Sequence, residues 1–360
     1  MSLAGYLRRM HTTTLRPLVT APGPFTSVYF DDSHHTEDAE KQLELKLRAV
    51  REQLAAQNAP PGALAAIEAA VRETAAPAGR GGRAVVAAGD TVVVNERLTE
   101  GPAVPVARVS DLPYLLPLIR YGEPALRHVV AAVDRVEATV KAFDEHGREI
   151  ESGTVRGREH PVHQVGGGGT AHYEMREHVE ETVRRNVSEM ADTVAKVAQR
   201  SGAELVVIVG EVQVRNAVHS ELPKAVQPIT HEATHESAVS QLVEGARQRR
   251  LAELDERFHA ELGRQRGLAA EGLEGVTTAL REANVEVLFV SDPGDTTVFT
   301  GDEPALIAVT EPELAAMGVD QRREHRADEA IPLAAIAGDA ELVALNEKLA
   351  DGIGAVLRHD

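Results

Sequence analysis

The sequence predicts an α/β protein of more than one domain, and three observations carry that prediction. Apolar residues recur near a 3.6 period over 175–197 and 242–262, and alternate with period two over 136–142. Two short apolar runs, Leu205 to Val209 and Val285 to Val290, suit strands covered on both faces. The chain has 360 residues, more than one hydrophobic core ordinarily serves, so two or three domains are expected.

Composition narrows the chemistry. Aromatic residues make up 3% of the chain and Trp is absent, so the cores must be built from Val, Leu, Ile and Ala. With no Cys, disulfides, thiolate metal sites and a Cys nucleophile are excluded. No apolar run reaches the ~18 residues of a membrane span. Residues 1–20 carry Arg8, Arg9 and Arg16 without an apolar core, so no secretory signal is expected and a cytoplasmic location follows. The net charge of −18 argues against a general nucleic-acid coat protein, although it leaves room for local basic contact.

The first domain is expected over 1–123, after a loosely docked start. Thr26 to Asp31 reads as a strand. Leu43, Leu47, Val50 and Leu54 place a helix over 37–57, and a second helix follows over 63–74. Ala84 to Ala88 and Thr91 to Asn95 form a hairpin across Gly89-Asp90. Ser110 to Tyr121, interrupted by Pro113 and Pro117, closes the unit as a strand or short helix.

The second domain is expected over 124–266. His128 to Val133 and Val136 to Phe143 read as a hairpin, and Glu149 to Gly157 as a third strand. After a glycine run, Met175, Val179, Val183, Val187, Met190, Val194 and Val197 draw one continuous apolar stripe on a long helix, which Gly202 ends. A buried strand at 205–209, a helix at 212–222, a strand near 225–229 and a helix at 238–264 complete it. Arg247, Arg249 and Arg250 on that last helix read as solvated surface charge, with RNA contact the alternative.

The candidate functional stretch is 160–178, which holds four consecutive glycines, Gly166, Gly167, Gly168 and Gly169. Glycine accepts positive φ and permits close backbone approach, so the run suits a bendable tip mounted on the following helix. Between Gly153 and Tyr173 the chain is locally basic: Arg156 and Arg158 oppose only Glu159, and His160, His163 and His172 add further donors. By themselves the glycines fit a linker equally well.

Gly-Gly-Gly-Gly-Thr170-Ala-His172-Tyr-Glu-Met-Arg176, leading into Val183-Arg-Arg-Asn-Val187, resembles the central domain of the archaeal and eukaryotic class-1 release factors. Relatives of those factors include Pelota and, nearest in proposed activity, the bacterial hibernation factor Balon. The resemblance implies a ribonuclease-H-like central domain with a projecting glycine loop over 160–172. In the releasing members Gly-Gly-Gln occupies the tip, and the Gln serves peptidyl-tRNA hydrolysis. Here Thr170 follows the glycines and Gln164 precedes them, which implies a ribosome-binding relative without release activity. It further implies RNA contacts from Arg156, Arg158, His160, His163, Gly166 to Gly169, Thr170 and His172, and no cofactor. The Asn-Ile-Lys-Ser decoding tetrapeptide is absent from the chain.

The third domain, an α/β unit, is expected over 267–360. Helices at 275–283 and 339–350 and strands at 285–290, 305–309 and 352–358 are expected, with a helix or strand after Asp328. The Gly352-Ile-Gly-Ala-Val-Leu-Arg358 ending resembles the carboxy-terminal domain of the same family, which docks a translational GTPase. Elongation factor Tu is the implied partner. Read from the residues alone, those glycines serve close packing within a sheet.

Other motifs carry less. His231-Glu-Ala-Thr-His235 matches His-Glu-x-x-His, in which two imidazoles one helical turn apart bind zinc and the Glu acts as base; Glu253, Glu256 or His259 would supply a third ligand. With fifteen His in the chain and Pro228 just upstream, a chance match on a loop is favoured and no metal is expected. The glycine run lacks the Gly-Lys-Ser/Thr of a phosphate-binding loop, and no Gly-x-Ser-x-Gly elbow is present. The functional expectation is therefore a hibernation factor that occupies the ribosomal A site and inserts its glycine loop towards the peptidyl-transferase centre. The alternative is a peptidyl-tRNA hydrolase or tRNA nuclease of the same family, with Gln164 or His163 orienting a water.

Overall fold

The computed structural model describes residues 15–33, 39–73, 81–98, 100–122, 126–144, 149–157, 170–264, 267–345 and 347–359, with side chains from 181 onward in the helix that begins at 170. The chain is a mixed α/β protein. It forms two compact units, Met1–Glu123 together with Leu254–Asp360, and Pro124–Glu253.

The first segment runs α1 (Pro17–Thr20), β1 (Phe25–Asp31), α2 (Ala39–Ala56), α3 (Pro61–Glu73), β2 (Gly82–Ala88), β3 (Thr91–Leu98), β4 (Val106–Ser110) and α4 (Leu116–Tyr121). Its sheet has the order β3-β2-β1-β4 and is antiparallel throughout. The expected hairpin turns at Gly89, whose φ of +58° suits glycine. Strand β4 is an addition to the sequence reading, and 110–121 turns helical only from Leu116, with Pro117 tolerated in the first turn.

The central β1 and β2 are buried on both faces, and their alternation sorts two cores. Val28, Phe30, Val85 and Ala87 pack with Leu47, Leu54 and Ile67 of the two long helices. Phe25, Tyr29, Ala84 and Val86 face the other way, into a core completed by the last segment. At the end of β1, Arg83 and Asp32 form an ion pair at 2.9 Å with both side chains almost fully buried.

The second unit runs β5 (His128–Val133), β6 (Glu137–Phe143), β7 (Glu149–Arg156), α5 (Thr170–Ser201), β8 (Leu205–Gly210), α6 (Val212–Glu221), β9 (Thr230–Ala233) and the first part of α7 (Val239–Leu262). The sheet order is β7-β6-β5-β8-β9. Strands β5, β6 and β7 form an antiparallel meander, and β8 and β9 add in parallel, a ribonuclease-H-like arrangement. On one face Val129, Ala131, Val140, Val206 and Ile208 pack with Val187, Met190 and Val194 of α5 and Val218 of α6. On the other, Leu205, Val207 and Val209 pack with Leu242, Val243 and Ala246 of α7. The doubly covered β8 is the unbroken apolar run of the sequence. Gly202, at φ +65°, terminates α5 as expected.

Two expectations change in this unit. The strand expected near 225–229 is a 3-10 turn over Gln227–Ile229, and the strand follows at Thr230–Ala233. Pro228 removes an amide donor that a strand position beside β8 would use. Arg247 is buried rather than solvated, and Arg250 pairs with Glu204 at 3.1 Å.

The last segment runs β10 (Ala269–Glu271), α8 (Gly272–Arg281), β11 (Val285–Val290), β12 (Thr297–Thr300), β13 (Ile307–Ala308), α9 (Glu311–Ala316), β14 (Arg323–Arg326), α10 (Ala327–Ala337), β15 (Glu341–Ala344) and β16 (Ile353–Leu357). One sheet has the order β10-β16-β11-β15 and a smaller one β13-β12-β14. The helix expected over 339–350 is absent: Glu341–Ala344 pairs in parallel with Val287–Val290, and a 3-10 turn occupies Ala350–Gly352. In the Gly-Ile-Gly sequence, a β-carbon on Gly352 would lie 2.2 Å from the Asp292 carbonyl oxygen, and one on Gly354 would lie 2.7 Å from the Phe258 ring. Close packing accounts for both glycines.

Helix α10 lies at the heart of this unit, with Ile331, Ala334 and Ile336 in the same core as Phe25, Tyr29, Leu280 and Ile353. Its first turn carries Asp328 and Glu329, both buried, each 3.1 Å from Arg108 Nη1. The Arg108 guanidinium also lies 3.5 Å from the centre of the Tyr114 ring. Burial pushes the Glu329 carboxyl above the usual carboxylate range, against the pull of Arg108.

Candidate nucleic-acid interface

The glycine stretch connects β7 to α5, and the described ends of that connection fix its base. Strand β7 is an edge strand. Its last residues stay in register with β6: Arg156 pairs with Glu137, and the Gly157 amide donates to the Val136 carbonyl at 2.6 Å. Gly157 then passes directly under α5. A β-carbon there would lie 2.3 Å from Cγ of Asn186, a side chain only 4% exposed. A larger residue would require the buried Asn186 side chain or the strand to move.

Helix α5 runs antiparallel to β7. Asn186 abuts the carboxy-terminal end of the strand, and Arg200, further along the helix, pairs with Glu151 nearer the strand's beginning. Traced backwards from Asn186, the helix therefore continues beyond the end of the sheet. It begins at Thr170, sixteen positions before Asn186. At ~1.5 Å per residue this arm is about 24 Å long.

Side-chain burial changes at the same point. Val187, Met190, Ala191, Val194, Val197 and Ala198 are buried against the sheet. Of the apolar stripe expected from Met175, Val187 is the first buried member among the described side chains, and Val183 is 43% exposed. Glu181, Arg184 and Arg185 are exposed as well. No described carboxylate forms an ion pair with either arginine, so both are open to an external anion. In the sequence these two stand only within the motif Val183-Arg-Arg-Asn-Val187, and their adjacency just before the buried valine is the available signal.

The expected RNA-binding residues divide accordingly. Arg156 lies at the end of β7 with its side chain 79% exposed and Nε 3.0 Å from Glu137, a surface pair that an incoming phosphate can displace at small cost. Arg158, His160, His163, Gly166, Gly167, Gly168 and Gly169 lie outside the described residues, as does Gln164. Thr170 and His172 occupy the first turn of α5.

The His-Glu-x-x-His match does not assemble a zinc site. His231 and Glu232 lie on β9, and His235 lies beyond its end in an extended conformation, so the two imidazoles are not one helical turn apart. Glu232 is engaged structurally: His219 Nδ1 lies at 3.0 Å and Arg215 Nε at 3.4 Å. Arg215, itself buried, also donates to the carbonyls of Gly210 and Ala233, tying α6 to the ends of both parallel strands. Burial holds the His231 pKa below its usual value, with Arg249 and His219 adding to the effect. His259, one suggested third ligand, faces Glu347 at 2.7 Å and Asp255 at 3.6 Å. Among the described residues, no helix is long and apolar enough to cross a membrane.

Comparison with known proteins bears on this arrangement. The model of the bacterial archaeo-eukaryotic release factor family 2 matches residues 127–264, from β5 to the end of α7. The uncharacterized protein Rv2629 of Mycobacterium tuberculosis strain H37Rv is 38% identical over 366 residues, covering 97% of each chain. The uncharacterized protein MT2704 of strain CDC 1551 matches equally. Among solved structures, the archaeal translation termination factor aRF1 aligns over 99% of this chain and 98% of its own, with 14% identity and a TM-score of 0.24. Pelota from Archaeoglobus fulgidus aligns over 78% and 80%, with 14% identity and a TM-score of 0.31. The archaeal Pelota of a ribosome-bound complex with ABCE1 aligns over 99% and 94%, with 13% identity and a TM-score of 0.36. The chain thus belongs to the family of Rv2629, and its residues 127–264 match the model of the bacterial archaeo-eukaryotic release factor family 2.

Proposed function

We propose that the protein is a ribosome-binding hibernation factor, close to Balon in action, that enters the A site and presents its glycine run towards the peptidyl-transferase centre without releasing peptide. The observation that carries this reading is the arm: about 24 Å of helix, at ~1.5 Å per residue, extending past the sheet that anchors it. Gly166 to Gly169 directly precede Thr170 in the chain, so covalent connection attaches them to the arm's outer end. A tip without side chains suits a narrow passage walled by RNA. Arg156, Arg158, His160, His163 and His172, with Thr170 and the exposed Arg184 and Arg185, supply phosphate contacts on an otherwise acidic protein. The lack of a Gln after the glycines supports binding without hydrolysis.

In this reading the chain works as three segments. Residues 1–123 face the decoding side, 124–266 carry the arm, and 267–360 dock elongation factor Tu as the GTPase partner. The protein acts in the cytoplasm, where ribosomes are.

Cosedimentation with ribosomes from growing and stationary cells, combined with a peptidyl-tRNA release assay, tests the proposal. Binding without release is expected, and the joint substitution Gly167→Val and Gly168→Val should weaken binding while leaving the melting temperature unchanged. Release activity lost in Gln164→Ala would replace this reading with a hydrolase. No association in either growth state would end it.

A further inference from the structure

In the first unit, the small sheet and the first segment border an open cavity of about 210 Å³. Its apolar floor includes Leu18 and Phe25, both at most 2% exposed. Its rim carries four ionisable side chains, Asp111, Asp302, Arg323 and His325. Register explains how two of them arrive together. On β14, Arg323 stands opposite Thr300 and His325 opposite Val298, so both project to the face that lines the cavity. Glu324 and Arg326 project to the opposite face.

The two faces of β14 differ in how their charges are satisfied. On the far face Glu324 accepts from the Thr297 hydroxyl, and Arg326 pairs with Asp295 at 2.7 Å and Asp328 at 3.0 Å. On the cavity face, none of Asp111, Asp302, Arg323 and His325 makes a side-chain hydrogen bond or ion pair among the described residues. Two carboxylates, a guanidinium and an imidazole are therefore held around one concavity without direct pairing among the described residues. Asp111 and Arg323 are near enough to His325 to act on it in opposite directions, and burial keeps its imidazole below the usual pKa.

Two acceptors, two cationic or donor groups and an apolar floor complement a molecule with an ammonium, a carboxylate and a hydrocarbon side chain. The cavity lies below the ~300–1,000 Å³ usual for larger ligands, which favours a small one. We propose that this cavity is a binding site for a free apolar α-amino acid, with the ammonium on Asp111 and Asp302, the carboxylate on Arg323 and His325, and the side chain over Leu18 and Phe25. Charge-assisted hydrogen bonds at both ends would fix its orientation.

The test is isothermal titration of the intact protein with L-leucine, L-valine, L-methionine and L-phenylalanine. N-acetyl-L-leucine and L-leucinamide serve as probes blocked at one end. A saturable signal is expected for at least one free amino acid, reduced at least tenfold in affinity by blocking either end and by Arg323→Gln or Asp111→Asn. These rim residues are exposed, so the variants should melt with the parent protein, which separates lost binding from lost folding. Absence of saturable binding by all four amino acids, or binding insensitive to both substitutions, would overturn the assignment. The ribosome reading is untouched by either result, because its own assay does not involve this cavity.

Discussion

The two halves of helix α5 have the same backbone and opposite surroundings. From Val187 to Ser201 the helix lies on the sheet, and its apolar stripe is buried; in the described part before Asn186 a valine of the same stripe stands 43% exposed beside two unpaired arginines. Apolar periodicity reports that a helix is amphipathic, whereas burial depends on what lies opposite. Here the sheet ends at Gly157, and the helix does not.

That contrast predicts a gradient of mutational effects. Met190→Ala, at the centre of the buried half, should cost about 2–5 kcal/mol in chemical denaturation, as for other large-to-small core changes. Gly157→Val tests the boundary. Its side chain would collide with Asn186, and a loss of roughly 1–3 kcal/mol is expected; a neutral result would mean that strand and helix are not in contact. Val183→Ser, in the exposed half, should change stability by less than about 0.5 kcal/mol. A cost like that of Met190→Ala would show that this part of the helix is packed against something. Finally, Arg184→Glu with Arg185→Glu should leave unfolding unchanged within about 0.5 kcal/mol. The same pair should weaken ribosome association and lower the slope of log affinity against log salt by about 2. An unaltered slope would remove these arginines from the interface.

Much of the central unit was legible in the sequence, because its elements are long or strongly patterned. Ala138, Val140 and Ala142 alternate on a single buried face, and Leu205 to Val209 is unbroken because both faces of β8 are covered. The misreadings concern short elements held by partners distant in sequence. Leu342 and Val343 fit a helical window, but the parallel register with β11 takes them into a strand. Thr230 to Ala233 has little strand character of its own and pairs because β8 presents a free edge. Strands β10, β12 and β14 span three or four residues each, too few for periodicity to register, whereas β13 falls within the strand expected over 305–309. For the candidate site, the glycine run and the long helix were readable. The Gly157–Asn186 contact was not, since a lone glycine at a strand end says nothing about which side chain crosses above it. The paired charges were equally hidden: Arg83 meets Asp32 across 51 positions, and Arg108 meets Asp328 across 220.

Phe25, Tyr29 and Val86 lie in one core with Leu288, Ile331 and Ile353. During vectorial synthesis, therefore, one side of the amino-terminal sheet is already built while the residues that cover it have yet to be translated. Helices α2 and α3 seal the opposite side early, leaving a half-clothed intermediate for most of the time the chain is being made. A product truncated before α8 would keep that greasy side bare, a ready target for chaperones and proteases. Folding of α8 and the strands after it onto that side thus completes the core that the first segment begins.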